Sequence, residues 1–155
     1  MKLALASDHA GYKLKEYLID YLARQGHDVI NLGVDTDKVR SDYPDAAKAV
    51  GHAVNSGLAE RGILICGSGV GASIAANKIK GIYAAICHDT YSAAQGVEHD
   101  NMNVLCIGSR VIGEAVAESL ADAYISAQFR ADVERYTHRF DMVEDMETHF
   151  TESES

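Results

Sequence analysis

A thiol at Cys66 stands between the apolar run Ile63-Leu64-Ile65 and the glycine-rich stretch Gly67-Ser68-Gly69-Val70-Gly71. The run has the pattern of a strand buried on both faces of a parallel sheet. Ala72-Ser73-Ile74-Ala75-Ala76-Asn77-Lys78 follows as a helix of small residues. A strand, a glycine loop and a helix leave backbone N–H groups unpaired at the helix start, where they can hold an anion. The same N–H groups and dipole can favour the thiolate of a cysteine placed there. Four readings fit these residues. The loop could be a tight turn that lets a helix pack close to the sheet. It could be a dinucleotide site, since Gly67 to Ala72 satisfies G-x-G-x-x-A with Asp89 downstream, although this loop follows the third strand and not the first. A phosphatase-type loop would want an arginine six positions after Cys66, where Ala72 stands. The fourth reading is a cysteine acid–base catalyst beside an oxyanion hole. The loop alone leaves all four open.

Other groups could join such a site. Asp8-His9 closes the first strand with a carboxylate and an imidazole, and Asp8 is also a candidate N-cap for the following helix. Tyr43 could contact a ligand or staple the helix it opens. His99-Asp100-Asn101-Met102-Asn103 precedes the last strand, which places His99 at the sheet edge opposite Cys66 unless a symmetric partner brings it across. Arg135 and Arg139 lie four apart, on one helix face. They suit a phosphate dianion, or they pair with Asp132 and Glu134 as a plain salt-bridged surface. Arg110 is a third cation, at the end of the last strand. No companion groups suggest themselves for His27, His52, His88, His138 or His149.

The elements that must position these residues alternate regularly. Strands are expected at Leu3–Ser7, His27–Leu32, Ile63–Ile65, Ile82–Cys87 and Asn103–Ile107. Helices are expected at Tyr12–Arg24, Tyr43 to Asn55 or Ser56, Ala72–Lys78, Thr90 to about Val97, Gly113–Gln128 and Val133 to about Phe150. The first helix carries Leu14, Tyr17, Leu18, Tyr21 and Leu22 on one face. This alternation predicts an α/β fold: a Rossmann-like three-layer αβα sandwich around a five-stranded parallel sheet, with an added C-terminal helix. Right-handed crossovers then gather the strand-to-helix loops at one rim. The 155 residues read as one domain over 1–150 with a polar tail at 151–155. A net charge of −9 argues against a nucleic-acid partner. No apolar run approaches eighteen residues, so no membrane span is expected, and Met1 to Ala6 is too short for a signal peptide. Three cysteines without paired spacing fit a reducing cytoplasm. No metal-ligand spacing is present.

Taken in order, these residues resemble the ribose-5-phosphate isomerase type B and galactose-6-phosphate isomerase family from end to end. The resemblance is carried by Ser7-Asp8-His9-Ala10-Gly11, Asp42-Tyr43-Pro44, Ile65 to Gly71 and Asn77-Lys78. It continues through Asn103-Val104-Leu105 and Gly108-Ser109-Arg110-Val111-Ile112-Gly113 to Arg135 and Arg139. It implies a metal-free and cofactor-free aldose–ketose isomerase acting on a sugar phosphate, with sites built across a homodimer or within a tetramer. Cys66 would be the general base that moves a proton between C1 and C2 through an enediolate. Ser68 and the N–H groups of Gly67, Gly69 and Gly71 would stabilise the enediolate oxygens. His99 would open the sugar ring, with Asp8 near the ring oxygen and hydroxyls. His9, Arg135 and Arg139 would contact the phosphate, while Tyr43 and Arg110 match further ligand-side positions. Two positions depart from the family's usual pattern: Asp100 stands where asparagine is usual, and Tyr136 where histidine is common. The expected reaction is ribose 5-phosphate to ribulose 5-phosphate. The alternatives are a six-carbon substrate such as galactose or allose 6-phosphate, and a non-catalytic nucleotide or sugar-phosphate binder.

Overall fold

A computed structural model describes residues 1–150; the expected polar tail at 151–155 lies outside the described residues. Five strands, β1 (Lys2–Ser7), β2 (Asp28–Asn31), β3 (Arg61–Cys66), β4 (Ala84–Ile86) and β5 (Val104–Gly108), form one sheet in the order β2-β1-β3-β5-β4. Every pairing is parallel, as the alternation of strands and helices predicts. The helices are α1 (Tyr12–Arg24), α2 (Tyr43–Asn55), α3 (Val70–Ala76), α4 (Thr90–Asp100), α5 (Glu114–Ser126) and α6 (Glu134–His149).

Side chains alternate across the pleat, and the two faces of this sheet differ in bulk. Leu3, Leu5, Ile63, Ile65, Leu105 and Ile107 face one way, against α1, α4 and α5. Ala6, Cys66, Val104 and Cys106 face the other with Leu64, against α2 and α3. On that second face the helices also present small residues, Ala46, Ala47 and Val50 from α2 and Ala72 and Ala76 from α3. Small side chains on both surfaces bring α3 close to the sheet. The glycine loop that joins β3 to α3 is correspondingly tight.

Helix α1 begins and ends where its periodicity predicts. Leu14, Leu18 and Leu22 are buried. Tyr17 and Tyr21 instead reach α5, their hydroxyls donating to Glu118 and Asp122. The bond to Asp122 and the surrounding negative charge push the Tyr21 hydroxyl up to about 12. The periodicity does not reveal Lys15, which is fully buried. Its ammonium donates to Glu16 and to Asn31 at the end of β2, and that bond to Lys15 holds the Glu16 carboxyl below the usual range.

Helix α4 runs three residues beyond the expected Val97, through His99 and Asp100. Asn101 terminates it in the left-handed conformation (φ 56°, ψ 37°), a cap that asparagine accepts at little cost. Helix α3 starts two residues early, at Val70, and β4 is shorter than expected. Asp89 accepts a hydrogen bond from the Ser92 N–H at 2.7 Å and so caps α4. Helix α6 crosses the β4 edge. There Phe140 packs edge-on against Tyr83 at 5.0 Å, and Glu147 accepts from the Gly81 N–H. No described helix is long and apolar enough to cross a membrane.

Candidate active site

β1 and β3 lie side by side, yet the chain leaves β1 through α1 toward β2 on the other flank. The crevice above such a reversal is where open α/β sheets bind ligands. Asp8-His9 leaves one side of it and Cys66 to Gly71 the other.

Cys66 is the last residue of β3 and is 4% exposed. Its Sγ accepts a hydrogen bond from the Gly69 N–H at 3.1 Å. Gly69 reaches back in this way because its φ is +83°, a conformation that favours glycine. The Val70 N–H is taken by the Ser68 hydroxyl oxygen at 3.2 Å. Among the described residues, the N–H groups of Gly67, Ser68 and Gly71 have no hydrogen-bond partner in the fold. Three backbone donors are thus left unpartnered on a loop that carries a thiol. The other two thiols, Cys87 and Cys106, are also buried. Burial, then the Asp89 charge, pushes Cys87 up to about 11, and burial pushes Cys106 higher still.

Two side chains wall this loop. The Arg110 guanidinium lies over Gly67, where an added methyl would meet its Nη1 at 3.3 Å. The Tyr43 ring lies against Gly71, where an added methyl would sit 2.7 Å from Cζ. Cys66, Gly67, Ser68, Gly71, Tyr43 and Arg110 line one open cavity of about 340 Å³, together with Val111.

The backbone ties the neighbouring loops to this wall. Asp8 N–H donates to the Ile65 carbonyl, one residue before Cys66. The Asp8 carboxylate accepts from the Gly11 N–H at 3.1 Å, closing the turn ahead of α1, whose N-cap is Gly11 and not Asp8. Gly11 has no room for a side chain, because a Cβ would strike the Ile65 carbonyl. Ser109 N–H donates to the Cys66 carbonyl and its hydroxyl to the Ala10 carbonyl, stitching the ends of β1, β3 and β5 together. His88 takes a structural part here: its Nε2 accepts from the Gly108 N–H at 2.9 Å.

Ser41 is a residue that the sequence reading passes over. Its hydroxyl accepts from the His9 N–H at 2.8 Å, and its N–H lies 3.1 Å from His9 Nδ1. One residue of the loop before α2 therefore sets both the backbone and the ring of His9. Its place next to Asp42-Tyr43-Pro44 was the available signal.

His99, Asp100, Arg135 and Arg139 do not share the Cys66 cavity. Asp100 and Arg139 line a separate groove of about 280 Å³ between α4, β4 and α6, with Tyr83, Phe140 and Met102. His99 sits beside that groove in the last turn of α4, stacked on Tyr136. The salt-bridged reading of the arginines is not realised: Asp132 lies 4.0 Å from Arg130. Among the described residues neither Arg135 nor Arg139 forms an ion pair. Both guanidiniums are thus left without a carboxylate partner on a chain of net charge −9. No group of three or more His, Cys, Asp or Glu among the described residues is placed to hold a metal ion.

A family model described as Ribose/Galactose Isomerase matches residues 3–143. The chain is 44% identical over 128 residues to ribose-5-phosphate isomerase B of Escherichia coli, covering 83% of this chain and 85% of that protein. It is 40% identical over 129 residues to D-erythrulose-4-phosphate isomerase of Pectobacterium atrosepticum, with 83% and 85% covered. The solved structure of Clostridium thermocellum ribose-5-phosphate isomerase B superposes with a TM-score of 0.93 at 40% identity, covering 97% of this chain and all of that one. With a family model spanning nearly its whole length and relatives of this similarity, the chain belongs to the ribose/galactose isomerase family of sugar-phosphate isomerases.

Proposed function

We propose that this protein interconverts ribose 5-phosphate and ribulose 5-phosphate through an enediolate, with Cys66 as the general base and without a metal ion. The observation that carries the reading is the position of the Cys66 thiol, held by Gly69 N–H beside three unpartnered backbone donors. A proton next to a carbonyl is weakly acidic, so its removal needs a base together with donors aimed where negative charge develops. In this reading Cys66 takes the proton from one carbon and returns it to the other. Ser68 and the N–H groups of Gly67 and Gly71 receive the enediolate oxygens, while Gly69 serves the sulfur. Arg110 adds positive charge at the cavity wall, and Tyr43 limits its width. Asp8 and His9 approach from the β1 side. Asp8 faces the sugar oxygens and His9 the phosphate.

Ring opening comes first for an aldopentose phosphate. The anomeric hydroxyl must lose a proton and the ring oxygen must gain one. His99 performs this transfer, and Arg135 and Arg139 clamp the phosphate. Within one chain none of these residues lines the Cys66 cavity, and Arg139 lines a different one. The active unit is therefore a homodimer in which each site takes Cys66 from one protomer and His99 from its partner. The apolar residues around the Cys66 cavity suit such a contact: Val70, Ile74 and Val111 are all exposed in the single chain.

Family members named for ribose 5-phosphate and for erythrulose 4-phosphate are 44% and 40% identical to this chain, so substrate length is the point to test. Four-, five- and six-carbon sugar phosphates should be assayed side by side, with and without a chelator. The proposal expects the highest kcat/KM on ribose 5-phosphate and no effect of chelation. A preference for another chain length would replace the substrate. Activity lost to chelator and restored by a divalent cation would end the metal-free mechanism. Binding of sugar phosphates without turnover would favour a non-catalytic binder.

A further inference from the structure

His99, Tyr136 and Arg135 form one assembly where α6 meets the end of α4. The His99 and Tyr136 ring centroids are 4.0 Å apart, with planes 21° from parallel. Arg135 Cζ lies 4.7 Å from the Tyr136 centroid, and Arg135 Nη2 donates to the Tyr136 hydroxyl at 3.1 Å. Tyr136 is only 6% exposed, whereas Arg135 reaches solvent. The buried ring is thus the fixed member, and two polar groups from different elements are set against it.

His99 has one further restraint. The Gln95 amide, one turn earlier on α4, lies 3.0 Å from His99 Nδ1. An amide offers both a donor and an acceptor, so it can hold Nδ1 whether or not that nitrogen carries a proton. The hydrogen bond sets the rotation of the imidazole in its own plane, and the stack on Tyr136 sets the plane itself. Nε2 has no hydrogen-bond partner among the described residues. Arg135 is held differently, by a cation–π contact and a single hydrogen bond to the same tyrosine.

We propose that Tyr136 is a positioning residue that holds the imidazole of His99 and the guanidinium of Arg135 in register, joining phosphate capture to ring opening. This inference rests on the reading of His99 and Arg135 given above. A substrate phosphate seated on Arg135 is then placed at a fixed offset from His99 Nε2, set by one ring and not by two independently mobile side chains. Misplacing a proton-transfer group by about 1 Å can cost on the order of 100-fold in rate. A buried ring that touches both groups is a direct way to prevent it.

The test separates the step that needs His99 from the step that needs only Cys66. An aldopentose 5-phosphate closes to a ring through its C4 oxygen and must be opened. A ketopentose 5-phosphate has no free hydroxyl at C5, stays open-chain, and can exchange its C1 proton with solvent through the enediolate alone. Isomerisation of ribose 5-phosphate and deuterium exchange into ribulose 5-phosphate should be measured on the full-length enzyme. Tyr136→Leu, which removes ring and hydroxyl, should lower kcat for isomerisation about 10- to 100-fold while its exchange kcat stays within about twofold of the unsubstituted enzyme. Tyr136→Phe, which keeps the ring, should restore kcat. It should raise KM in both assays by roughly three- to tenfold, the worth of one hydrogen bond on the arginine.

Equal losses in both assays for Tyr136→Leu, or no loss in either, would overturn the coupling. If that variant does not fold, Tyr136→Phe decides: a fall in kcat at unchanged KM would overturn it as well. An unsubstituted enzyme that neither isomerises nor exchanges would overturn the sugar-phosphate reading itself, and this inference with it.

Discussion

The N–H of Gly69 points back at the sulfur of Cys66, 3.1 Å away, across a turn of only three residues. That contact separates Cys66 from the two cysteines packed below it. It also makes the two jobs proposed for the loop, holding a base and holding an oxyanion, depend on one backbone shape.

Replacing Cys66 by alanine should abolish isomerisation while sugar-phosphate binding stays close to normal. Losing general-base help costs on the order of 100- to 10,000-fold, and no other titratable side chain lines the cavity except Tyr43 and Arg110. Steady-state kinetics beside calorimetric binding checks this. A variant that keeps most of its kcat would mean that another group takes the proton.

Gly69→Ala should damage both stability and rate. An L-residue in the left-handed region costs about 1–2 kcal/mol, and the added methyl would sit 3.2 Å from the Ile107 carbonyl carbon. The turn would have to open, withdrawing the N–H from Cys66. The expected outcome is a lowered Tm together with a kcat reduced by more than the KM changes. A normal kcat would show that the sulfur does not need this donor.

Thiol labelling of the native enzyme should be confined to Cys66 and blocked by ribulose 5-phosphate. With Cys87 pushed up to about 11 by burial, only about one in a thousand of its thiols is ionised at pH 8. Cys106 is pushed further and is fully buried. Peptide mapping after brief alkylation reads this directly, and modification of Cys87 or Cys106 before unfolding would contradict it.

Mixing inactive Cys66→Ala and His99→Ala proteins under conditions of subunit exchange should regenerate activity. In each mixed dimer one site carries both intact residues and the other carries neither. A return of activity in proportion to the mixed dimers formed is expected. Demonstrated exchange with no return would place both residues in a single chain's site.

Asp100→Asn should lower KM for the sugar phosphate by up to about fivefold. Asp100 is exposed at the end of α4 and lines the groove with Arg139, so its charge opposes an incoming anion. Water screens it, which holds the effect to about 1 kcal/mol or less. A loss of activity with the pH optimum moved down would instead assign Asp100 to supporting His99.

Much of this architecture is local and therefore legible along the chain. The apolar runs at Leu3–Ala6 and Ile63–Ile65, the 3.6-residue period of Tyr12–Arg24, and the glycines between Cys66 and Ala72 name their elements without a partner. From these the parallel α/β sandwich and the strand-end rim follow, because chirality leaves few other arrangements. Even the loop that carries the thiol could be singled out from its order alone.

What the tertiary structure decided is non-local. Nothing between residues 9 and 41 announces that Ser41 holds both the backbone and the ring of His9. Nothing between 99 and 136 announces a stacked pair of rings, for along the chain Tyr136 stands out only as a departure from the family's usual histidine. Lys15 has the wrong polarity for a buried face and is buried all the same, because Glu16 and Asn31 meet its ammonium there. Periodicity reports how a residue sits on its own element. Which side chain waits on the facing element depends on strand order and helix crossing, and those emerge only when the whole sheet packs.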